Sequence, residues 1–339
     1  MTAFPHPVLV ADVGGTNARF ALAETPGGPV VPVSRVATKG IASAEEAIAR
    51  AIEAAPVRPA SIVICAACPV IGRGGTLTNA TWSFDGEAIA RRFGLAQGLL
   101  LNDFEAAALA LSVLEPDDVE PIGASVAPGS GAKLVLGPGT GLGMAGLVVV
   151  DGRALPMPGE AGHVALGPLD ETDAEFWPRL PRVGGRVTAE TVLCGPGLVR
   201  LHHALAPAFG RAVEAVEADP PSVAACAARG GEDAASRHCA ASVRIFLDHL
   251  ARFAGDMGLV LAATGGVHLR GGVMSSLAPL MDPQRFRALF DDKAPVVALA
   301  RTIPLLRLPS DAVVMRAMAS LAAAPERFVI DYGRRAWVG

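Results

Sequence analysis

The chain has 339 residues, 51% of them hydrophobic, and a formal net charge of −4. That length suits two domains with ample core, and the charge balance excludes the basic footprint of a nucleic-acid binder. No basic amphipathic stretch points to a membrane surface, and the N-terminus lacks the basic and long apolar regions of a signal peptide.

The first hundred residues alternate strand and helix. Val8–Val13 and Ala18–Ala23 read as strands around the turn Asp12-Val13-Gly14-Gly15-Thr16-Asn17, and Val30–Thr38 as a third. Consecutive N–H groups in such a turn form a concavity for phosphate oxygens, and Asp12 is placed to hold a hydrated magnesium ion beside them. This is no P-loop, since no Gly-Lys-Ser/Thr follows and no helix pattern begins there. Taken alone, the string also reads as a plain β-hairpin turn. Ser43 then caps a helix running to about Ala55. Ser61–Cys65 is a buried strand, Asp85–Phe93 a helix, and Leu99–Leu101 a strand that delivers Asn102-Asp103 to a helix over roughly Glu105–Leu114. The five cysteines, at 65, 68, 194, 226 and 239, are odd in number and scattered, which fits free thiols in a reducing cytoplasm. Cys65 and Cys68 have the spacing of a redox or metal half-site. With no second pair at zinc-like spacing, they read as small packing residues.

Pro116–Gly131 turns to Pro, Gly, Asp and Ser, the composition of a crossing between domains. Lys133–Leu136, the glycine turn Gly137–Gly143 and Met144–Val150 then repeat the opening pattern of strand, Gly-Thr turn and strand. The longest uncharged run, 134–150, is broken by those glycines and is not a membrane span. Asp151-Gly152 signals a tight hairpin into Arg153–Pro156. Helices are expected over Ala189–Leu205, roughly Ser222–Ala228 and Ala235–Met257, then an apolar strand Leu259–Ala262 ending near Gly265-Gly266. Leu269–Val273 again brings strand-like residues to paired glycines, Gly271-Gly272, and a last helix spans about Asp311–Ala323. Strands alternating with helices predict an α/β fold with mixed sheets. The expected division is residues 1–115 plus 311–330 against 116–310, with a cleft between the two.

Strand ends in open α/β sheets collect ligands. Asp103 therefore reads either as a helix cap or as a general base for a hydroxyl attacking phosphorus, with Asn102 orienting that hydroxyl. Glu160 and His163, three apart between glycines, suit adjacent sugar hydroxyls, or are simply solvated loop residues; no third zinc ligand stands near. Glu190 opens a helix, where a carboxylate is favoured by the helix dipole anyway. His202, His203, His238 and His249 have no partners at ligand spacing and read as structural or surface residues.

In order and spacing, Val10–Arg19, Leu101–Ala106, Leu136–Gly143, Met157–Val164, Ala189–Leu198 and Gly265–Gly272 resemble the bacterial glucokinase family of the hexokinase/actin-like ATPase superfamily. The Cys-rich zinc motif of ROK sugar kinases and repressors is missing, so the resemblance is to the branch without it. It implies a two-domain actin-like (ribonuclease H-like) fold and ATP- and magnesium-dependent phosphorylation of glucose at its 6-hydroxyl. It further implies sugar binding by Asn102, Asp103, Glu160, His163 and Glu190, with Asp103 as catalytic base. Asn79, in Thr78–Trp82, resembles a cleft-lining position. Gly14, Gly15, Thr16 and Asn17 match one phosphate loop and Gly139, Thr140 and Gly141 the other, with magnesium near Asp12. Gly265, Gly266, Gly271 and Gly272 match adenosine-side turns, and relatives suggest a homodimer. Two alternatives stay open: a kinase for another hexose or an amino sugar, and a sugar-sensing regulator without turnover. A strand from Val8 leaves no room for an N-terminal helix-turn-helix, which counts against the regulator. One block departs from the pattern. Relatives tend to carry a glycine-rich step before the last helix, where this chain has Pro309–Met315, so nucleotide preference is open.

Overall fold

The structure is a computed structural model that describes residues 2–78, 80–211 and 218–339. The chain divides into two units. Unit 1 is Met1–Glu115, Leu147–Pro158 and Ser310–Gly339; unit 2 is Pro116–Gly146 and Gly159–Pro309. Against the sequence-based division, unit 1 also takes in Leu147–Pro158 and the residues up to Gly339. Ala154 accounts for the first addition, because it bridges to Phe328 and accepts from Val329 N–H at 2.8 Å.

Unit 1 is built on strands β1 (Val8–Val13), β2 (Asn17–Ala23), β3 (Val30–Ala37) and β4 (Ser61–Ala66). A small three-stranded sheet follows, of β5 (Val70–Ile71), β6 (Gly74–Thr76) and β7 (Ser83–Asp85), and then β8 (Gln97–Asn102). The main sheet runs β3-β2-β1-β4-β8 and ends on the C-terminal strand Ala336–Val338. β1 pairs antiparallel with β2 and parallel with β4, β4 parallel with β8, and the C-terminal strand antiparallel with β8. Every residue of β4 is buried, as expected of a strand covered on both faces. Edge strand β3 tolerates Pro32, and the ladder shifts register between Phe20 and Ala21 there. Helix α1 (Ala44–Ala54) is capped by Ser43 and buries Ala44, Ala47, Ile48 and Ala51, one stripe at helical spacing. α2 (Gly86–Phe93) is capped by Asp85, and α3 (Asp103–Ala110) springs directly from β8. The last long helix, Ala312–Ala323, packs on α3 and β1.

The second large sheet, most of it in unit 2, is made of β9 (Glu120–Pro121), β10 (Lys133–Pro138), β11 (Leu142–Val150), β12 (Arg153–Gly159), β13 (Gly266–Leu269) and β14 (Leu305–Arg307); β11 from Leu147 and β12 up to Pro158 are counted with unit 1. It is ordered β12-β11-β10-β13-β14-β9, with β10–β13 and β13–β14 parallel and β14–β9 antiparallel. Asp151 and Gly152 both have positive φ (50° and 74°), the backbone of the tight hairpin that their sequence signals. The helices are α4 (Glu171–Phe176), α5 (Ala189–Val192), α6 (Gly195–Leu205), α7 (Pro220–Arg229), α8 (Ala234–Val260), α9 (Gly272–Leu277), α10 (Pro283–Asp291) and α11 (Val297–Ala300). α8 crosses the core through Phe246, Leu250, Phe253 and Ala254, against Leu134, Leu136, Val267 and Phe290.

Two sequence expectations are corrected here. The single helix over Ala189–Leu205 is two, α5 and α6, because Pro196 lacks the N–H that would continue the first and is tolerated in the opening turn of the second. Cys194 caps the second, its Sγ accepting from Gly197 N–H at 3.2 Å. The expected strand Leu259–Ala262 is the end of α8 and its exit, where Ala262 takes a positive φ of 44°. A four-residue apolar run carries no period that separates strand from helix. No helix among the described residues is long and apolar enough to cross a membrane.

Candidate functional site

In unit 1 the β1–β2 turn is held from its inner side. Gly14 N–H donates to Asn17 O (2.9 Å). Buried Thr38, just past β3, donates its N–H to Thr16 O (3.0 Å) and its Oγ1–H to Gly15 O (2.9 Å). The carbonyls of Gly15, Thr16 and Asn17 are thus engaged by the protein, while the Thr16 side chain is exposed. A Cβ built on Gly14 would meet nothing nearer than Asn17 O at 3.5 Å, so internal packing does not demand glycine there. Asp12 ends β1, with Arg19 opposite it on β2 and Cys65 beside it on β4. Arg19 Nη1 donates to Asp12 Oδ2 at 3.2 Å and Cys65 Sγ to Oδ1 at 3.5 Å.

At the end of β8 the capping role falls to Asn102 and not to Asp103. Asn102 Oδ1 accepts from Phe104 and Glu105 N–H (2.9 and 3.3 Å), and its Nδ2 donates to Cys68 O (3.1 Å). Glu105, buried at 5% exposure, completes the capping box and is gripped by Arg335 Nη1 at 2.6 and 2.5 Å. Asp103 therefore sits in the first turn of a rigidly anchored helix, half-buried, with one oxygen accepting from Phe104 N–H (3.0 Å). Its negative charge is felt by Cys68, whose thiol is pushed up to about 11 by burial and then by Asp103. Cys65 thus meets Asp12, and Cys68 lies within electrostatic reach of Asp103. Sequence spacing alone did not say so; the signal lay in which strand ends become neighbours.

In unit 2 three predicted groups meet at one peptide. The turn between β10 and β11 closes with Gly139 N–H donating to Gly141 O (2.8 Å), and Thr140 is exposed. Glu190, first turn of α5, accepts from Leu142 N–H through Oε2 at 2.8 Å. A Cβ on Gly141 would lie 2.4 Å from that oxygen, so a side chain there would push the Glu190 carboxylate aside. The turn Ala161–His163 lies against the other side of the same residue: a Cβ on Gly162 would be 2.4 Å from Leu142 O. Glu160 and His163 project from this turn with side chains 90% and 63% exposed, Oε2 and Nε2 3.8 Å apart.

The remaining glycines separate into two kinds. Gly271 and Gly272 follow β13 at its carboxyl end, and a Cβ on Gly272 would meet nothing within 4 Å. Gly265 and Gly266 stand at the opposite end, where the chain enters β13. The expectation that they follow a strand is corrected. A Cβ on Gly265 would lie 2.6–2.9 Å from Gly131 O, Lys133 Cγ and Ala132 O, which explains that glycine by packing. Residues missed by sequence reasoning are Thr38, already described, and Gly195, whose N–H donates to Gly139 O at 2.8 Å as α6 begins. The Gly195-Pro196-Gly197 step was its only sequence sign. Asn79 lies outside the described residues. His202, His238 and His249 are buried, and the rings of the first two stack at 3.7 Å. His202 Nδ1 meets Ser242 Oγ at 2.8 Å, and burial first, then the neighbouring His238 and Arg211, holds His202 down to about 3. These histidines are structural.

The donor set fits magnesium only as an ion carried mainly by phosphate and water. Among the described residues no group of three or more His, Cys, Asp or Glu is placed to hold a metal, and Asp12 offers one carboxylate already approached by Arg19. A single carboxylate beside a polyphosphate is a sufficient protein contribution for this strongly hydrated ion.

Two mixed sheets of one topology, each with an open glycine turn after its first strand, define the actin-like ATPase fold. The sequence matches the glucokinase family model over residues 9–324. A glucokinase of Sinorhizobium medicae (strain WSM419) is 40% identical over 335 residues, covering 98% of this chain and 97% of that one. Among solved structures, a glucokinase from an Antarctic psychrotroph superposes with a TM-score of 0.79 at 28% identity, covering 93% of this chain and 98% of that one. The Balamuthia mandrillaris glucokinase, solved with glucose, shares the fold with a TM-score of 0.75 at 22% identity, covering 93% of each chain. The chain belongs to the glucokinase family.

Proposed function

We propose that this protein transfers the γ-phosphoryl group of ATP to the 6-hydroxyl of glucose, giving glucose 6-phosphate and ADP. Family membership supports the reaction. The observation that carries the residue assignment is the meeting of the Gly139–Gly141 turn, the Glu160–His163 turn and Glu190 at Leu142. Phosphate-loop and hydroxyl-binding groups are there fixed to one peptide.

The amides of Gly14–Asn17 and of Gly139–Gly141 hold the phosphates, and the exposed Thr16 and Thr140 hydroxyls border them. Gly272 leaves room for the nucleoside side, while Gly271 is held to glycine by its φ of 102° and by Pro138 O, which would lie 2.8 Å from a Cβ there. Asn79, Asn102, Glu160, His163 and Glu190 bind ring hydroxyls. Asp103 takes the 6-hydroxyl proton as that oxygen bonds to the γ-phosphorus and the bond to the β-phosphate oxygen breaks. Such a base contributes typically about 10²–10⁴-fold in rate; positioning and charge stabilisation supply most of the rest. Asp12 would help to hold a hydrated magnesium ion, which when bound would screen the phosphate charge. The absence of disulfides among the five thiols suits a reducing cytoplasm, and the resemblance to the family supports a homodimer.

The test is ADP release by the purified protein across glucose, its epimers and amino sugars, each with ATP. Glucose is expected to give the highest kcat/KM. An epimer that leaves one buried partner unpaired should fall by about one to two orders of magnitude, the equivalent of 1–3 kcal/mol. No sugar-dependent ADP with millimolar glucose would refute the reading.

A further inference from the structure

Asp311 lies in the block where this chain departs from the glycine-rich step of its family's pattern. It holds the N-cap position of Ala312–Ala323, where an Asp carboxylate ordinarily accepts from first-turn amides. Here it makes no such cap, and Ser310 Oγ accepts from Ala312 N–H instead (3.2 Å). The Asp311 carboxylate is turned to Arg19, whose Nη1 donates to Oδ2 at 2.7 Å. The same nitrogen reaches Asp12 Oδ2 at 3.2 Å. One cation thus stands between two carboxylates, with the shorter contact to the one outside the glycine turn.

Asp12 and Arg19 are cross-strand partners, so Arg19 stays beside Asp12 whatever residue stands at 311. Without Asp311 the two charges cancel, and an approaching divalent cation meets a neutral pair with a guanidinium at its edge. With Asp311 the trio keeps one net negative charge. The three side chains are only 39% (Arg19), 13% (Asp12) and 27% (Asp311) exposed, so solvent and salt screen them less than a surface pair.

We propose that Asp311 is a positioning residue for the metal–nucleotide substrate: it draws Arg19 toward itself and keeps Asp12 negative toward a hydrated divalent ion on the phosphates. The proposal rests on the reading that Asp12 faces that ion.

The direct test is Mn²⁺ binding in the presence of ADP, followed by the loss of the free-ion paramagnetic resonance signal at low ionic strength. Asp311→Asn is expected to weaken Mn²⁺ binding on the order of tenfold, and Asp311→Glu to restore most of it. In an Arg19→Gln background the same Asp311→Asn change should matter less than about twofold, because the charge to be balanced has gone. In turnover assays, half-saturating Mg²⁺ should rise by more than kcat falls. Asp311→Ser, which retains a capping side chain, serves if Asn weakens folding. Unchanged Mn²⁺ binding in Asp311→Asn, while Asp12→Asn weakens it, overturns the proposal and leaves the reading of Asp12 standing. Unchanged binding in Asp12→Asn removes that reading and the proposal with it.

Discussion

Two six-stranded sheets of similar order underlie the two units. Each has three strands joined in succession by short turns, two parallel strands beside the first of these, and a short antiparallel strand closing the edge, and glycine turns follow β1 and β10. What differs is where each unit puts its acids. Unit 1 carries Asp12 near the end of β1 and Asp103 in the first turn of α3, fixed by Arg19, Cys65 and the Asn102 cap. Unit 2 carries Glu160 and His163 on a turn that is mostly exposed, and Glu190 at a short helix tied back to Leu142. The comparison separates two tasks. Under the proposed assignment, the proton acceptor has a fixed position at the head of a capped helix, and the groups that choose a sugar have the reach and room of a turn.

The largest expected effect tests unit 1. Asp103→Asn should lower kcat by about 10²–10⁴-fold while the glucose KM moves far less, as measured by coupled ADP release. Near-normal turnover would move the base elsewhere and erase the division of labour.

Acid should then separate the units by stability. The sequence holds seven histidines, and only His6 lies in unit 1. In unit 2 burial holds His202 down to about 3 and His268 to about 4, and lowers His238 as well. These rings stay neutral in the folded state, so below the unfolded value near 6.5 the unfolded chain binds the extra protons. Stability is full above pH 6.5 and falls as pH drops toward the folded values. At pH 5 the loss is about 2 kcal/mol from each of His202 and His268. Hydrogen exchange at pH 7 and pH 5 should show unit 2 amides losing protection first; equal loss in unit 1 would contradict this.

The smallest effect distinguishes ligand glycines from packing glycines within unit 2. Gly265→Ala should cost about 1–3 kcal/mol of stability by overpacking, seen in thermal melts, with the ATP KM unchanged. Gly272→Ala should leave the melt unchanged and raise the ATP KM. The reverse pattern would restore Gly265 as a nucleotide contact.

Much of the local structure around the candidate site was legible in the sequence. The β1–β2 turn and its echo between β10 and β11 could be read because the pattern of apolar strand, Gly-Thr turn and apolar strand recurs, which one hairpin turn alone would not explain. Asn102-Asp103 stood out as polar residues ending an apolar strand, although the sequence left open which of them caps the helix. The structure divides them, with Asn102 capping and Asp103 beyond it. The failures have physical causes. Leu259–Ala262 is apolar on a stretch too short to show a period, and Gly265 looked like a loop glycine because its crowding by Gly131, Ala132 and Lys133 is a long-range fact. Glu190 could be placed at a helix start, but not its bond to Leu142, 48 residues earlier.

By itself the sequence determined the local elements and the chemistry they carry: strand, glycine turn, strand, then a carboxylate at the strand end. These follow from side-chain periodicity and backbone freedom, which act over a few residues. Only the tertiary structure decided which of those groups share a site. It set Cys65 on Asp12, Glu190 on Leu142, and Asp311 on Arg19 from 292 residues away. Parallel strands joined through helices bring together residues whose separation along the chain carries no signal. Sheet order, and not spacing, sets those contacts.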